Sequence, residues 1–291
     1  MRYEGPIYRP PSEADSLLIQ ATVGCPHNRC TFCMVYKDGI RFKVRPVEAV
    51  REDILAARDV YGAGVTTLFL PAGNTIAMPT DALCDICRFA KEIFPALKRI
   101  TVYGSSQFIC KKGMDGLKRL AEAGLSRIHV GLETGDDVIL KQIRKGTRSD
   151  EQIKAGKWVM AAGIQLSLYV ILGIGGKERT VSHAEGTARV LNAIDPDFIR
   201  LRTFVPKVNT PLLKAVQSGT FKMLSPHEVL RETARLIKPL SVTSQLTSDH
   251  YTNYINLHGR LPTKKQAFLR EIEKALGRDE ETFRPFFVGD Q

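Results

Sequence analysis

The stretch SRIHVGLETGDDVILKQIRKG, residues 126–146, changes its pattern halfway. Ile128, Val130 and Leu132 alternate with His129 and Glu133, the period-two signature of a strand with one apolar and one polar face. The DDVILKQIRKG that follows reads as a helix. The same strand-then-helix pair recurs about every 30 residues.

SLLIQATVG precedes a cysteine-bearing loop, and RPVEAVREDILAARDVYGAG follows as a helix, with Pro46 near its first turn and Gly62 and Gly64 after its end. VTTLFL leads into the amphipathic MPTDALCDICRFAKEIF, and RITVYGSS into KGMDGLKRLAEAG. After the opening stretch comes the helix SDEQIKAGKWVMAAG; then IQLSLYVILG precedes KERTVSHAEGTARVLNAI, and DFIRLRTFVP closes the series. Six β-α units over residues 16–210 predict a parallel sheet covered by helices.

Strand parity refines this. One parity is apolar: Leu17, Ile19 and Ala21; Ile100 and Val102; Leu166, Leu168 and Val170; Ile199 and Leu201. The other is polar: Gln20 and Thr22; Thr101, Tyr103 and Ser105; Ser167 and Tyr169; Arg200 and Arg202. A closed eight-stranded barrel fills its interior with Val, Ile and Leu. A polar interior lines a wet cavity instead, and six strands do not readily close. The expectation is an α/β fold, a partial (β/α)6 TIM-type barrel over residues 1–210 with ligands at the carboxyl ends of its strands.

Residues 211–291 break the rhythm: a capping box, Ser225 to Glu228, opens SPHEVLRETARLI, then come a strand candidate SVTSQLTS and a basic helix over 263–276. They read as a C-terminal α+β extension packed on the barrel.

The chain has 291 residues, a formal charge of +11 and six cysteines. No apolar run approaches the ~18 residues that span a bilayer, which speaks against a membrane partner. MRYEGPIYRPPSEAD lacks the apolar core of a secretory signal, so a cytoplasmic location is expected. There, clustered cysteines point to metal or redox chemistry. The charge suits an anionic partner, whether nucleic acid, a phosphate or carboxylate substrate, or acidic lipid. The basic residues are scattered, however, and KQIRKGTR and IRFKVR are short, so the charge alone does not favour nucleic acid.

GCPHNRCTFCMVYK, residues 24–37, places Cys25, Cys30 and Cys33 just after the first strand. Three readings compete. Structural zinc wants four ligands, and His27 lies awkwardly inside the same loop. Core cysteines fit poorly in a polar, proline-bearing loop. A [4Fe–4S] cluster normally takes four thiolates, so three leave one iron open to an outside ligand.

This loop resembles that of the radical S-adenosylmethionine (radical SAM) superfamily, and the resemblance covers about residues 16–210. The spacing here is C-x4-C-x2-C rather than C-x3-C-x2-C, with Phe32 in the aromatic place before the last cysteine. LFLPAGNTIAM resembles the segment that meets the SAM amino group, with Ala72, Gly73 and Asn74 standing where that segment carries a glutamate. HVGLETGDDVILKQIRKGT resembles the fourth-strand segment of coproporphyrinogen oxidases, methylthiotransferases and the Elongator-like branch; it nominates Glu133, with Arg144 or Lys145 toward the SAM carboxylate. YVILGIGGKE nominates Ile171, Leu172 and Gly173 for the adenine, and Ser105 joins the cofactor-facing set. In RLRTFVPKVNTPL, Asn209 stands where the family has a glycine.

The resemblance implies a [4Fe–4S] cluster on Cys25, Cys30 and Cys33. It implies reductive cleavage of SAM to a 5′-deoxyadenosyl radical, and hydrogen abstraction from a small, possibly anionic molecule. Tyr169, Arg200 and Arg202 are the catalytic candidates, and an electron donor such as flavodoxin or ferredoxin is required. The expected enzyme is an oxidoreductase or a transferase. A tRNA-modifying radical SAM enzyme and a non-catalytic Fe–S carrier are the alternatives. Cys84 and Cys87 form a further C-x2-C with Cys110 downstream, but Cys87 lies on the apolar face of Leu83 and Ala90 and reads as core.

Overall fold

A computed structural model describes residues 1–37 and 39–290; Asp38 and Gln291, the last residue of the expected extension, lie outside the described residues. The chain runs β1 (Leu17–Leu18), β2 (Thr22–Val23), β3 (Lys43–Val44), α1 (Val47–Tyr61), β4 (Thr67–Leu70), α2 (Thr80–Ile93), β5 (Arg99–Gly104), α3 (Ser106–Glu122) and β6 (Leu125–Glu133). It continues through α4 (Asp137–Gln142), α5 (Ser149–Ala161), β7 (Gln165–Leu172), α6 (Gly176–Ile194), β8 (Phe198–Thr203), α7 (Pro211–Gln217), α8 (Pro226–Ile237), β9 (Gln245–Thr247), β10 (His258–Arg260) and α9 (Lys265–Leu276). The fold is α/β, with a mostly parallel eight-stranded sheet in the order β1-β4-β5-β6-β7-β8-β9-β10, as a partial TIM-type barrel requires.

Two compact units divide the chain. The first holds residues 1–28, 35–130 and 154–166. In it β1, β4, β5 and β6 pair in parallel. Ile100, Val102, Ile128 and Val130 are buried beneath the helices, while Tyr103 on the other parity is half-buried. The α1 helix starts after Pro46, buries Val50, Ile54 and Ala57 at helical spacing, and stops at Gly62 with φ 70°. Cys84 and Cys87 are fully buried on α2, and burial pushes the Cys87 thiol up to about 12. Both thiols are packed inside α2's apolar face, where the sequence reading put Cys87.

The first strand differs from its sequence reading. SLLIQATVG reads as one strand, yet only Leu17–Leu18 joins the sheet. Thr22–Val23 turns away to pair antiparallel with Lys43–Val44, and Arg45 donates its N–H to Ala21 and its Nη1 to the Gln20 carbonyl (2.6 Å). Hydrogen bonds that a longer sheet strand would make are used instead to close the base of the loop over 24–42.

The second unit holds residues 29–34, 131–153 and 167–291. There β7 pairs parallel with β8, β8 with β9, and β10 runs antiparallel to β9. SVTSQLTS thus adds a strand to the sheet, and the sheet extends beyond the six strands expected. On β8 exposure alternates: Ile199 and Leu201 are buried, Arg200 and Arg202 half-buried. The α8 capping box is complete: the Ser225 hydroxyl accepts from Glu228 N–H and the Glu228 carboxylate from Ser225 N–H (2.8 Å). Among the described residues no helix is long and apolar enough to cross a membrane.

Candidate functional site

In the first unit the expected residues Cys25, Gly73, Asn74 and Ser105 come together. Gly73 donates its N–H to the Gly24 carbonyl (3.1 Å), which brings the turn after β4 against the start of the cysteine loop. A Cβ on Gly73 would stand 2.6 Å from Cys25 Cβ and 2.8 Å from the Tyr36 ring, so any larger residue must push the cysteine loop aside. Ala72 before it has φ 99°, an unfavourable conformation for a residue with a side chain. Asn74 is buried; its Nδ2 donates to Ser105 Oγ (2.8 Å), and its Oδ1 has no hydrogen-bond partner among the described residues. A buried acceptor left open costs about 1–3 kcal/mol unless a ligand supplies the donor.

In the second unit the turn that carries Cys30 and Cys33 is fastened at both sides. Thr31 N–H donates to Ile143 O (3.0 Å) and Thr31 O accepts from Leu212 N–H (3.0 Å). Phe32 packs on the cluster of Ile139, Ile143, Ile174, Phe204 and Leu212, together with Ile171. The aromatic residue before the last cysteine is therefore an apolar anchor for the turn, beside a residue nominated for the adenine. None of the three loop cysteines is in a disulfide among the described residues, and all three are partly exposed. Among the described residues no three His, Cys, Asp or Glu side chains are drawn into a metal-holding group, so the ligand assignment rests on spacing and family.

Glu133 ends β6 with φ 61°, which folds its side chain back along the strand. Its Oε1 accepts from Lys145 Nζ at 2.7 Å, and both side chains are nearly buried. Gly131 makes room for this pair, since a Cβ there would lie 2.0 Å from Glu133 Oε1. Of the two basic candidates, Lys145 meets Glu133; Arg144 sits at φ 52°, in the turn before it. Asn209 has φ 57°, the conformation for which the family uses glycine.

Leu172 is buried and its carbonyl accepts from Phe204 N–H (2.8 Å), while Gly173 takes φ 79°. Gly173 N–H donates to Glu232 Oε1 (2.6 Å), and Thr180 Oγ1 donates to Glu232 Oε2 (2.6 Å). Buried His183 faces the same carboxylate, Nε2 to Oε1 3.6 Å, and its Nδ1 lies 2.8 Å from Thr134 Oγ1. Burial, opposed by Glu232, lowers the proton affinity of His183 and keeps the ring neutral. Glu232 thus reaches from α8 to the segment nominated for the adenine, while His183 reaches the residue after Glu133. Sequence reading missed both. Its one visible signal was a carboxylate on the apolar stripe Val229, Thr233 and Leu236.

On the exposed parity, Tyr169 of β7 lies opposite Arg200 of β8, and Ile171 opposite Arg202. Arg200 donates its Nε to Ser167 Oγ (3.0 Å) and reaches Thr247 Oγ1 (3.4 Å). The Arg202 guanidinium lies 4.9 Å over the Tyr169 ring. The three catalytic candidates therefore share one patch of sheet.

Comparison with known proteins agrees with this geometry. Residues 19–191 match the radical SAM superfamily. The chain is 26% identical to 4′-phospho-dehydrooxetanocin synthase of Priestia megaterium over 266 residues, 80% of this chain and 34% of that protein. It is 28% identical to biotin synthase of Hydrogenobaculum sp. over 199 residues, 67% of this chain and 57% of that protein. It spans only part of the length of either relative. Coproporphyrinogen III oxidase (HemN) of Escherichia coli, a radical SAM enzyme, superposes with a TM-score of 0.56 at 16% identity, over 77% of this chain and 52% of that one. A match over more than half the chain, on a fold and a cysteine loop of this kind, is decisive: the chain belongs to the radical SAM superfamily, whose enzymes work with a [4Fe–4S] cluster and SAM.

Proposed function

We propose that Cys25, Cys30 and Cys33 hold the [4Fe–4S] cluster, and that Phe32, Gly73, Asn74, Ser105, Glu133, Arg144, Ile171, Leu172 and Gly173 form the SAM site. The substrate, a small anionic molecule, is assigned to the sheet face of Tyr169, Arg200 and Arg202. The observation that carries this reading is the corner at Gly73. Cys25 is packed against a glycine whose place a side chain could take only by displacing the loop, and the next residue buries a side-chain carbonyl oxygen with no donor among the described residues. Such a cradle suits a polar ligand brought to the first cysteine. When bound, the cluster supplies the single electron that splits SAM into methionine and a hydrogen-abstracting 5′-deoxyadenosyl radical.

The protein's own work is orientation and electrostatics. Asn74 Oδ1 offers an acceptor to the bound cofactor. Glu133 and Lys145 present a preformed ion pair at the end of β6, able to re-pair with the cofactor's ammonium and carboxylate. Glu232 holds the Gly173 turn in the conformation that presents its backbone. Arg200 is oriented by Ser167 and Thr247 and keeps its charge directed at the substrate face. Tyr169 is positioned to orient the substrate or give up a proton. Residues 211–291 are read as an extension of the 1–210 barrel; the pairing of β9 with β8 supports that reading. Radical SAM enzymes need a reductant, and a flavodoxin- or ferredoxin-type donor is assigned to that role.

The test is 5′-deoxyadenosine formation when the anaerobically reconstituted, reduced protein meets SAM without substrate. Turnover is expected in the wild type and none in Cys25→Ala, Cys30→Ala or Cys33→Ala. A tetrahedral zinc, or a cluster with four protein thiolates and no nucleoside product, would overturn the assignment.

A further inference from the structure

The turn at the end of β6 is held from behind by α6. Thr134 N–H donates to Leu132 O (2.8 Å) across Glu133, whose φ is 61°. Such a three-residue turn is strained for a residue with a side chain and persists only where its surroundings hold it. The hold comes from Arg179, at the kink of α6, and from His183, Gly186 and Thr187 beyond it, spaced to share one helix face. Arg179 donates Nε and Nη2 to Asp136 Oδ2 (3.0 and 2.7 Å). Thr187 Oγ1 accepts from Gly135 N–H (2.9 Å). A Cβ on Gly135 would stand 2.2 Å from the Gly186 carbonyl oxygen, so helix and turn meet backbone to backbone.

His183 lies within this face and also reaches the other turn nominated for SAM. Its Nδ1 is 2.8 Å from Thr134 Oγ1, and its Nε2 is 3.6 Å from Glu232 Oε1, the oxygen that accepts Gly173 N–H at 2.6 Å. His183, Thr134 and Glu232 are all buried. The Thr134 hydroxyl accepts from Asp136 N–H (3.1 Å), and among the described residues the imidazole is the one acceptor it reaches. The hydroxyl therefore donates to Nδ1, which leaves the ring proton on Nε2, facing the carboxylate. The opposite tautomer would aim a lone pair at Glu232. At 3.6 Å the Nε2–H falls short of a hydrogen bond, and it has no other partner among the described residues. A small movement of either turn closes that gap.

We infer that His183 is a positioning residue that couples the Glu133 turn to the Gly173 turn, so that the amino-acid end and the adenine end of SAM are bound as one unit. This rests on the reading above of both turns as parts of the SAM site, and it adds the device that joins them. A ligand on either turn fixes one end of the chain Thr134–His183–Glu232. The imidazole passes that constraint to the other end, and the bond from Nε2–H to Glu232 closes. Coupling of this kind is reciprocal and typically amounts to about 5–150-fold in affinity.

Methionine and 5′-deoxyadenosine, the two products of SAM cleavage, are the probes, bound to the anaerobically reconstituted full chain and followed by calorimetry. Saturating methionine is expected to raise the affinity of the wild type for 5′-deoxyadenosine at least about fivefold. In His183→Leu both fragments still bind, and most of that coupling is lost. Thr134→Val breaks the same chain and should lose it likewise, which keeps the test open if the first variant misfolds. His183→Gln keeps a neutral N–H donor toward Glu232 and is expected to recover part of the coupling. Independent binding of the fragments to the wild type, or equal coupling in wild type and variants, refutes the inference. Binding of neither fragment would instead overturn the SAM-site reading on which it rests. The tautomer is checked without ligand: nitrogen NMR shifts of the His183 ring should place the proton on Nε2, and a proton on Nδ1 refutes the directed chain.

Discussion

Glu13 and Glu232 are both buried carboxylates, one in each compact unit, and they are held in opposite ways. Glu13 faces two guanidinium groups, Arg99 at 3.0 Å and Arg127 at 3.7 Å, with His129 Nε2 at 3.1 Å and Ser16 donating at 2.6 Å. Burial alone would raise its pKa, but these partners bring it down to about 2. Among the described residues Glu232 has no guanidinium or ammonium partner; it accepts a backbone N–H and a hydroxyl and faces a neutral imidazole. A fully compensated carboxylate makes a lock, here joining the N-terminal segment to β5 and β6. A carboxylate satisfied by the backbone of a ligand-facing turn holds that turn in shape. Burial and charge alone do not mark a functional residue; its partners do.

The largest expected effect lies on the first side. Glu13→Ala leaves Arg99, Arg127 and His129 without their common partner and should cost about 3–5 kcal/mol in a denaturant titration, with SAM affinity per folded molecule unchanged. A loss below about 1 kcal/mol would mean that the cations find water instead and that the lock is no lock. Glu232→Leu should reverse the emphasis. The Gly173 N–H and Thr180 hydroxyl lose their acceptor, so stability falls by about 2 kcal/mol and SAM binding to the reconstituted protein weakens about tenfold. Glu232→Gln retains a carbonyl acceptor and should recover most of the SAM affinity. Equal losses of affinity in Leu and Gln variants would assign the effect to charge rather than to the turn.

A pH series sharpens the comparison at intermediate size. The folded pKa of Glu13 lies below its ordinary value of 4.5, so its stabilisation is complete above that value and is lost as the pH falls toward about 2. Melting temperatures between pH 6 and 2.5 should show a loss of about 2 kcal/mol that Glu13→Gln removes. The smallest effect is expected at Gly73→Ala. The added methyl meets Cys25 and the Gly24 carbonyl, which shifts the cysteine loop for about 1 kcal/mol of stability. Cluster content after reconstitution should drop far more than stability does.

Much of this was legible from local pattern. The alternation along RITVYG and FIRLRT assigned Tyr103, Arg200 and Arg202 to the more open face, because side-chain direction in a strand depends only on residue parity. The Ser225–Glu228 box marked a helix start because its bonds span three residues. The division of SLLIQATVG into two pieces was not legible, since it depends on Lys43–Arg45 competing for its backbone.

By itself the sequence determined the strand-helix rhythm, the two faces of each strand and the cysteine spacing, all of which are set by neighbours a few residues apart. Tertiary structure alone decided that Lys145 rather than Arg144 meets Glu133, that Glu232 supports Gly173 from 59 residues away, and that Asn253 fastens its loop beside Arg202. The physical reason is that hydrogen bonds and charges act through space. A left-handed residue or a returning loop determines which groups are close, and no periodicity in the chain encodes that distance.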